Sequence, residues 1–269
     1  MKYSIAILMS TYNGQEYLSE QINSILNQSN KDWILYIRDD GSTDNTVKII
    51  NDYQTRYAQI KVIKDSIAHR GCAQSFLYLL TIIDADFYMF CDQDDIWLKD
   101  KIDICFKKYK EEKYYSLPIL IHTDVRIVDK NLTSIYPSLW SYNGSSKWIG
   151  TKMVLPVYNY ITGCTMFFNR KARDLCLEHT ENVVMHDAYV ALCVLFNKGV
   201  IIDISEATLL YRQHESNVLG AFQIIPKIRK LANIWQVIRN NYKQYKMLTS
   251  ITNYNLVQFL RLKWLILRN

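Results

Sequence analysis

Between residues 3 and 92 the sequence changes its hydrophobic period every dozen or so residues, and this limits the folds open to it. "YSIAILMS", "DWILYIRD", "IKVIKD" and "ADFYMFCD" are short runs of strand length ending in polar or turn-forming residues. Between them "QEYLSEQINSILNQ", "DNTVKIINDYQTRY" and "CAQSFLYLLTII" carry helical spacing, with Leu18, Ile22, Ile25 and Leu26 on one face of the first. Ser42 or Thr43 is placed to cap the second helix. Strands alternating with helices at this interval predict an α/β fold, a Rossmann-like and mostly parallel sheet with helices on both faces.

After Asp100 the order loosens. "LPILIHTDVRIVD" is a further strand, and "GCTMFFNRKARDLCLEH" is a strand running into a helix. "HDAYVALCVLFNKG" is a helix, and "VIIDISEATLLYRQH" is a closing strand. Residues 134–160 lack clear periodicity and hold Trp140 and Trp148; they read as a long functional loop or small subdomain, an acceptor groove or a subunit contact.

Charge divides the chain. It holds 32 basic and 26 acidic residues, yet residues 216–269 contain nine Lys or Arg and no Asp or Glu. The remainder is therefore slightly acidic, and Pro226 suits the start of a separate helix near a boundary at 215–226. In that tail Ile224, Ile228, Leu231, Trp235 and Ile238 form an amphipathic stripe among basic residues. Such a helix suits an anionic membrane surface, or it packs its stripe on the rest of the chain. Basic residues beside aromatics also raise nucleic acid, but no motif supports it.

No window approaches the roughly 20 apolar residues of a membrane span, and "MKYSIAILMS" meets "TYNGQEY" with no cleavage-site pattern. None of the six cysteines falls in a C-x-x-C pair. The expectation is a reduced, cytoplasmic protein.

In open α/β sheets, ligands bind beyond the carboxyl ends of the strands. "STYN", "RDDGS" and "CDQDD" stand at three such ends. Asp92 and Asp94 alternate, so on an extended segment both face one side, where a divalent cation would relieve their repulsion. The competing reading is a turn in which Asp95 caps a helix beginning "IWLKDKI". For Asp39 and Asp40 a turn-forming role and a nucleotide-facing role stand level. His186 and Asp187 head an apolar helix, where the helix dipole explains Asp187 and a general base is the alternative. Arg212, His214 and Asn217 cluster after the last strand, and suit phosphate or metal if they are more than a solvated loop. Arg70 and Gly71 suit either a phosphate approach or a helix-start turn.

Taken in order, "ILMSTYNGQEYLSEQINSILNQS", "YIRDDGSTDNT", "FCDQDDIWLKDKI", "TGCTMFFNR", "MHDAYVAL" and "YRQHESNVLG" resemble an inverting glycosyltransferase of family 2 with the GT-A fold, in its bacterial rhamnosyltransferase-like polysaccharide branch. The resemblance runs from about residue 3 to 220. It implies a GT-A domain over 1–220, with a nucleotide-binding half at 1–100 and an acceptor and catalytic half at 101–220, followed by the basic helical extension 221–269. It implies Ser10, Thr11, Tyr12, Asp40, Arg70, Asp92 and Arg212 around the nucleotide diphosphate, and Asp94 with His214 at Mn²⁺ or Mg²⁺. It makes Asp187 the catalytic base, His186 standing at the partner acidic position. The Gln-x-x-Arg-Trp signature of processive members is absent, which implies transfer of a single sugar, and "HRGCAQSF" departs from the family's Asn-x-Gly.

The implied activity is metal-dependent, inverting transfer of one sugar from a nucleotide-diphosphate donor to a hydroxyl of a lipid-linked or cell-surface glycan precursor. The tail would then rest on the inner face of the cell membrane. A non-catalytic nucleotide-sugar or glycan-binding module is the rival of a different class. A sugar nucleotidyltransferase is a second rival, but "STYNGQEY" stands where its Gly-rich, Lys-bearing loop would be.

Overall fold

The computed structural model describes residues 3–113, 116–215 and 234–268. The periodic segments form the expected elements: β1 (Ile5–Thr11), α1 (Leu18–Leu26), β2 (Trp33–Asp39), α2 (Thr46–Arg56), β3 (Ile60–Ile63), α3 (Cys72–Ile82) and β4 (Phe87–Cys91). β1 lies between β2 and β4, and β2 also pairs with β3, all in parallel. β1 and β4 are apolar along their length because helices cover both their faces.

The second half departs from simple alternation. Ile96–Trp97 is β5, pairing antiparallel with Leu209 and Leu210, rather than the head of a helix. Asp95 therefore does not cap one; α4 starts at Lys101, with Asp100 at its N-cap. Ser42 and Thr43 do not cap α2 either: Asn45 precedes that helix, and the Ser42 hydroxyl donates to Asp39.

β6 (Ile119–Val128), β7 (Ser134–Tyr136), α5 (Leu139–Tyr142), β8 (Phe167–Asn169), α6 (Arg170–Asp174), α7 (His186–Phe196) and β9 (Val200–Arg212) follow. The described strands make one sheet in the order β3-β2-β1-β4-β8-β6-β9-β5, with β7 on β6. β8 is antiparallel to both β4 and β6, and β9 is parallel to β6. The carboxyl ends of β1, β2, β4, β6 and β9 thus lie along one edge.

Each face of the sheet has its own core. On one side α1, α2 and α4 bury Leu18, Ile22, Ile50 and Ile102 against β1 and β2. On the other side α3 and α7 pack with residues 154–161. The second core also takes in Met247, Leu248 and Phe259 from a helical hairpin, α8 (Ile234–Ile251) and α9 (Leu256–Arg268). The basic extension is thus joined to the sheet domain through apolar burial. Asn217, Pro226, the boundary at 215–226 and the stripe positions Ile224, Ile228 and Leu231 lie outside the described residues.

Residues 134–160 are not a bare loop. They form β7, α5 and two turns of 3-10 helix, fastened to the sheet by buried polar groups. Asp124 accepts from the N–H groups of Leu139 and Trp140 and from the Ser138 hydroxyl. Asp203 pairs with His122, Nε2 to Oδ1 2.6 Å, and with Lys152.

Candidate active site

The three polar strand ends expected to converge do so, and their carboxylates divide into two groups. At the end of β2, Asp40 is turned inward. Its Oδ1 accepts from Arg38 Nη1 at 2.7 Å and from the Arg70 N–H at 2.9 Å, and its Oδ2 accepts from the Gly71 N–H at 2.8 Å. Burial alone would raise its pKa, but the Arg38 guanidinium and these N–H groups hold it below the usual carboxylate range. Arg38, itself buried, also bonds Asp65 and Ser75. The resemblance sets Asp40 toward a nucleobase; its oxygens are instead engaged in shaping the loop that carries Arg70.

The other members of the β2 end follow the same pattern. Asp39 accepts from the Thr11 hydroxyl at 2.9 Å and from the Ser42 N–H at 2.8 Å, joining β1 to β2. Arg70 pairs with Asp65 at 3.1 Å and lies 4.4 Å over the Tyr78 ring. Ser10, next to the end of β1, is partly exposed, and the Tyr12 side chain is open to solvent beside His69. Both remain accessible to a ligand at this edge.

The end of β4 is the opposite case. Burial first, then the charges of Asp94 and Asp187, push the Asp92 carboxyl up to about 7. Asp95 is buried; its Oδ1 accepts from the Arg212 N–H at 3.2 Å, and its Oδ2 has no described hydrogen bond. Burial and the charges of Asp94 and Asp92 hold it well above the carboxylate range.

Asp94 and His214, which the resemblance assigns to a metal, are neighbours: His214 Nε2 lies 3.0 Å from Asp94 Oδ2. The Tyr17 ring rests on His214 with centroids 4.6 Å apart. Arg212 behaves differently from the sequence expectation, which sets it on a diphosphate. Its guanidinium is buried, donating to the Asp94 carbonyl at 2.8 Å, to the Lys130 carbonyl at 2.9 Å and to the Glu20 carboxylate. It fixes the main chain that presents Asp94.

Asp187 lies in the first turn of α7, nearly buried. Burial pushes its carboxyl up to about 6, against N–H donation from Ala188 and Gly163. Its charge acts on Asp92, and the Cys72 thiol is raised first by desolvation and then by the charges of Asp92, Asp187, Asp94 and Asp40. These groups therefore lie close enough to act on one another electrostatically. A carboxylate with a pKa near 6 is half-poised to take a proton near neutrality.

His186, at the neighbouring position, is a packing residue. Its ring sits 4.3 Å from Phe76 and 4.7 Å from Phe90, and burial lowers its pKa to about 3, so it is neutral. Neither ring nitrogen has a described partner. A Cβ at Gly163 would lie 2.6 Å from His186 Nε2, so a glycine is required there.

A divalent cation fits this donor set. Asp94 and His214 offer carboxylate oxygen and imidazole nitrogen, and a cation would relieve the repulsion between Asp94 and Asp92. Asp92, Asp95 and Cys164 also bring ligand atoms within 4.8 Å of one another. Burial and the charges of Asp95 and Asp92 keep the Cys164 thiol protonated, which suits a hard cation poorly.

Three residues of the site escape the motif reading. Gln93 clamps the Tyr12 main chain, accepting its N–H at 2.9 Å and donating to its carbonyl at 3.1 Å. Cys72 is exposed beside the carboxylates. Arg38 holds the β2 end together. Only Arg38 carries a sequence signal, standing two residues before Asp40 on the same strand face.

Residues 6–175 match the family model for Glycosyl transferase family 2. The chain is 29% identical over 263 residues to the dTDP-rhamnosyl transferase RfbG of Shigella flexneri, covering 91% of this chain and 83% of that protein. It is 33% identical over 103 residues to the Escherichia coli UDP-Glc:alpha-D-GlcNAc-diphosphoundecaprenol beta-1,3-glucosyltransferase WfgD, covering 38% of this chain and 39% of that one. In fold it is similar to S. aureus TarS 1-349 in complex with UDP-GlcNAc, with a TM-score of 0.63 and 14% identity over 98% of this chain and 71% of that one. It is also similar to the mannosyltransferase PcManGT from Pyrobaculum calidifontis in complex with GDP-Man and Mn2+, with a TM-score of 0.62 and 13% identity over 98% of this chain and 70% of that one.

Proposed function

The chain belongs to glycosyl transferase family 2 and has the GT-A fold, and from that premise we propose an inverting, non-processive transferase of one sugar from a nucleotide diphosphate. The observation that carries this reading is Asp187, a nearly buried carboxylate with a pKa near 6 that acts electrostatically on the Asp92 and Asp94 end of the cleft. Rhamnose is the donor sugar we assign, because the relative matched over most of the chain is a dTDP-rhamnosyl transferase. In working terms, residues 1–100 bind the nucleotide and residues 101–220 the acceptor.

Asp187 accepts the proton of an acceptor hydroxyl, and that oxygen attacks the anomeric carbon from the side opposite the diphosphate. The new bond forms as the bond to the leaving diphosphate oxygen breaks, so the configuration inverts in one step. Mg²⁺ or Mn²⁺ held at Asp94 and His214 would neutralise charge on the departing diphosphate. Arg212 holds the Asp94 main chain in place, while Ser10, Thr11, Tyr12, Arg70 and Asp92 border the nucleotide and Asp40 supports their loop.

The acceptor, in this reading, is a hydroxyl of a lipid-linked or cell-surface glycan precursor. A cavity of about 710 Å³ lined by Asp124, Arg126, Ser138, Trp140, Ser141 and Glu206 among others supports a glycan on that side, since hydroxyls, charges of both signs and an aromatic suit a polyol. The protein would work in the cytoplasm, peripheral to the inner face of the cell membrane.

The test is nucleoside diphosphate release from dTDP-, UDP- and GDP-linked sugars, with Mn²⁺ or EDTA. Slow hydrolysis of one donor, lost with EDTA and with Asp187→Asn, is the expected result. Silence across the panel, with no donor shifting the melting temperature, would leave a non-catalytic member of the fold.

A further inference from the structure

The α8–α9 hairpin has an inner side that explains its attachment and an outer side that nothing described covers. Inside, Met247, Leu248 and Phe259 enter the core beneath α7, and the Val184 N–H meets the Met247 sulfur at 3.5 Å. Lys263 ties the two helices together, donating to Asn241 and, at 2.9 Å, to Gln244.

Outside, Trp235, Ile238 and Tyr242 follow one another at three- and four-residue spacing along α8, and Val257, Leu260 and Trp264 do the same along α9. All six are exposed, Trp235 at 80% and Trp264 at 54%. Helical spacing of this kind gathers each trio on one face, opposite the buried anchors. Exposed apolar stripes paired in this way mark a contact surface rather than ordinary scatter. Exposed Arg239, Lys243 and Lys246 accompany the first stripe, Arg261 and Arg268 the second, and neither helix holds an acidic residue.

We propose that this outer face lies on an anionic membrane, with Trp235 and Trp264 seated among the lipid headgroups and the basic residues against lipid phosphates. Charge selects this occupant. A second copy meeting the same face would set one unbalanced positive patch against another. An anionic bilayer offers negative charge over an apolar interior, which matches both features of the face.

Docking has a consequence for the site. Val184, which the hairpin touches through Met247, lies three residues before Asp187, so the element whose outer face meets the bilayer is braced by its inner face against the start of α7. In purpose this inference rests on the lipid-linked acceptor proposed above; the docking itself stands on the hairpin alone.

The experiment is co-sedimentation of the full chain with vesicles of equimolar phosphatidylcholine and phosphatidylglycerol, and with phosphatidylcholine vesicles. The wild type should bind the anionic vesicles, less well as salt rises, and should stay free of the neutral ones. Trp235→Ala/Trp264→Ala and Arg239→Glu/Arg261→Glu should each weaken binding about tenfold or more. All four positions are exposed, so the melting temperature should hold. Equal sedimentation of the variants would overturn the proposal. So would absence of vesicle binding by a wild type that light scattering finds dimeric, with the tryptophan variant monomeric. Donor hydrolysis, measured without vesicles, separates the two readings: a chain that docks but hydrolyses nothing keeps this inference and loses the transferase.

Discussion

The ends of β2 and β4 look alike in the sequence, each a hydrophobic strand closing on adjacent or alternating aspartates, yet the fold gives them opposite electrostatics. At β2, Asp39 and Asp40 are surrounded by donors: Arg38, two hydroxyls and four main-chain N–H groups. At β4, Asp92 and Asp95 face carboxylates and a thiol, and Asp95 keeps one oxygen without a described hydrogen bond. The first arrangement stabilises the ionised form of Asp40 and makes a scaffold. The second disfavours ionisation, and a divalent cation would relieve it. Position at a strand end therefore does not assign a role; the supply of donors does.

The sharpest way to break this contrast is at Asp187, the carboxylate on α7 whose charge acts on the second group. Asp187→Asn should lower turnover by about 10²- to 10⁴-fold, the range of general-base catalysis, while donor affinity is kept. Because the wild-type carboxyl is raised by burial, the variant should melt no lower than wild type at pH 7. Asp94→Ala should in addition lose the metal dependence of donor binding, measured by calorimetry with and without Mn²⁺. Loss of donor binding in Asp187→Asn would instead make that residue part of the nucleotide pocket.

The scaffold is tested at Arg38. Arg38→Met leaves Asp40 and Asp65 without their buried guanidinium, and breaking such a pair costs about 3–5 kcal/mol. The urea midpoint should fall accordingly, with residual activity at low temperature if the loop still forms. An unchanged midpoint with abolished donor binding would mean that the β2 carboxylates meet the nucleotide directly.

Proton linkage sharpens the same contrast with opposite signs. Asp40 has a lowered pKa, so its contribution to stability is present above the unfolded carboxyl pKa and is lost as pH falls through the folded value. Asp187 has a raised pKa, so the folded state loses stability as pH rises from the unfolded value to about 6 and is level above it. Activity moves the other way, because the base must be ionised. kcat/KM for the donor should climb to a plateau above about pH 6, and a flat profile from pH 5 to 8 would remove Asp187 from the role.

What is legible in the sequence is what local periodicity encodes. β1 to β4 and α1 to α3 fall where the apolar spacing puts them, because each buries a face against its chain neighbours. β5 is not legible: two residues cannot display a period, and its partner strand lies more than 100 residues away. Asp95 reads as a helix cap for the same reason, since the donor to it is the main chain of Arg212. The family resemblance sends Arg212 to the diphosphate, and the sequence cannot reveal that Glu20 and two carbonyls occupy its fork. The pairing of Asp94 with His214 comes from the family resemblance and not from spacing, as 120 residues separate them.

The smallest expected effect probes the joint between the two regions. Gln93, placed between Asp92 and Asp94, grips the main chain of Tyr12 at the end of β1. A Cβ added at Gly14 would come within 2.3 Å of Gln93 Oε1, the far end of a flexible side chain, so the glutamine must swing away. Gly14→Ala should therefore cost the two Gln93 bonds, about 1 kcal/mol each, and raise the donor KM a few-fold without changing kcat. Gln93→Ala should do the same by deletion. The informative measurement is the double variant: with Gln93 already truncated, the methyl group added by Gly14→Ala has nothing to displace, so the second substitution should add close to nothing. Additive losses would place the constraint at Gly14 in the main chain itself, and the two strand ends would then be held together by the backbone rather than by this side chain.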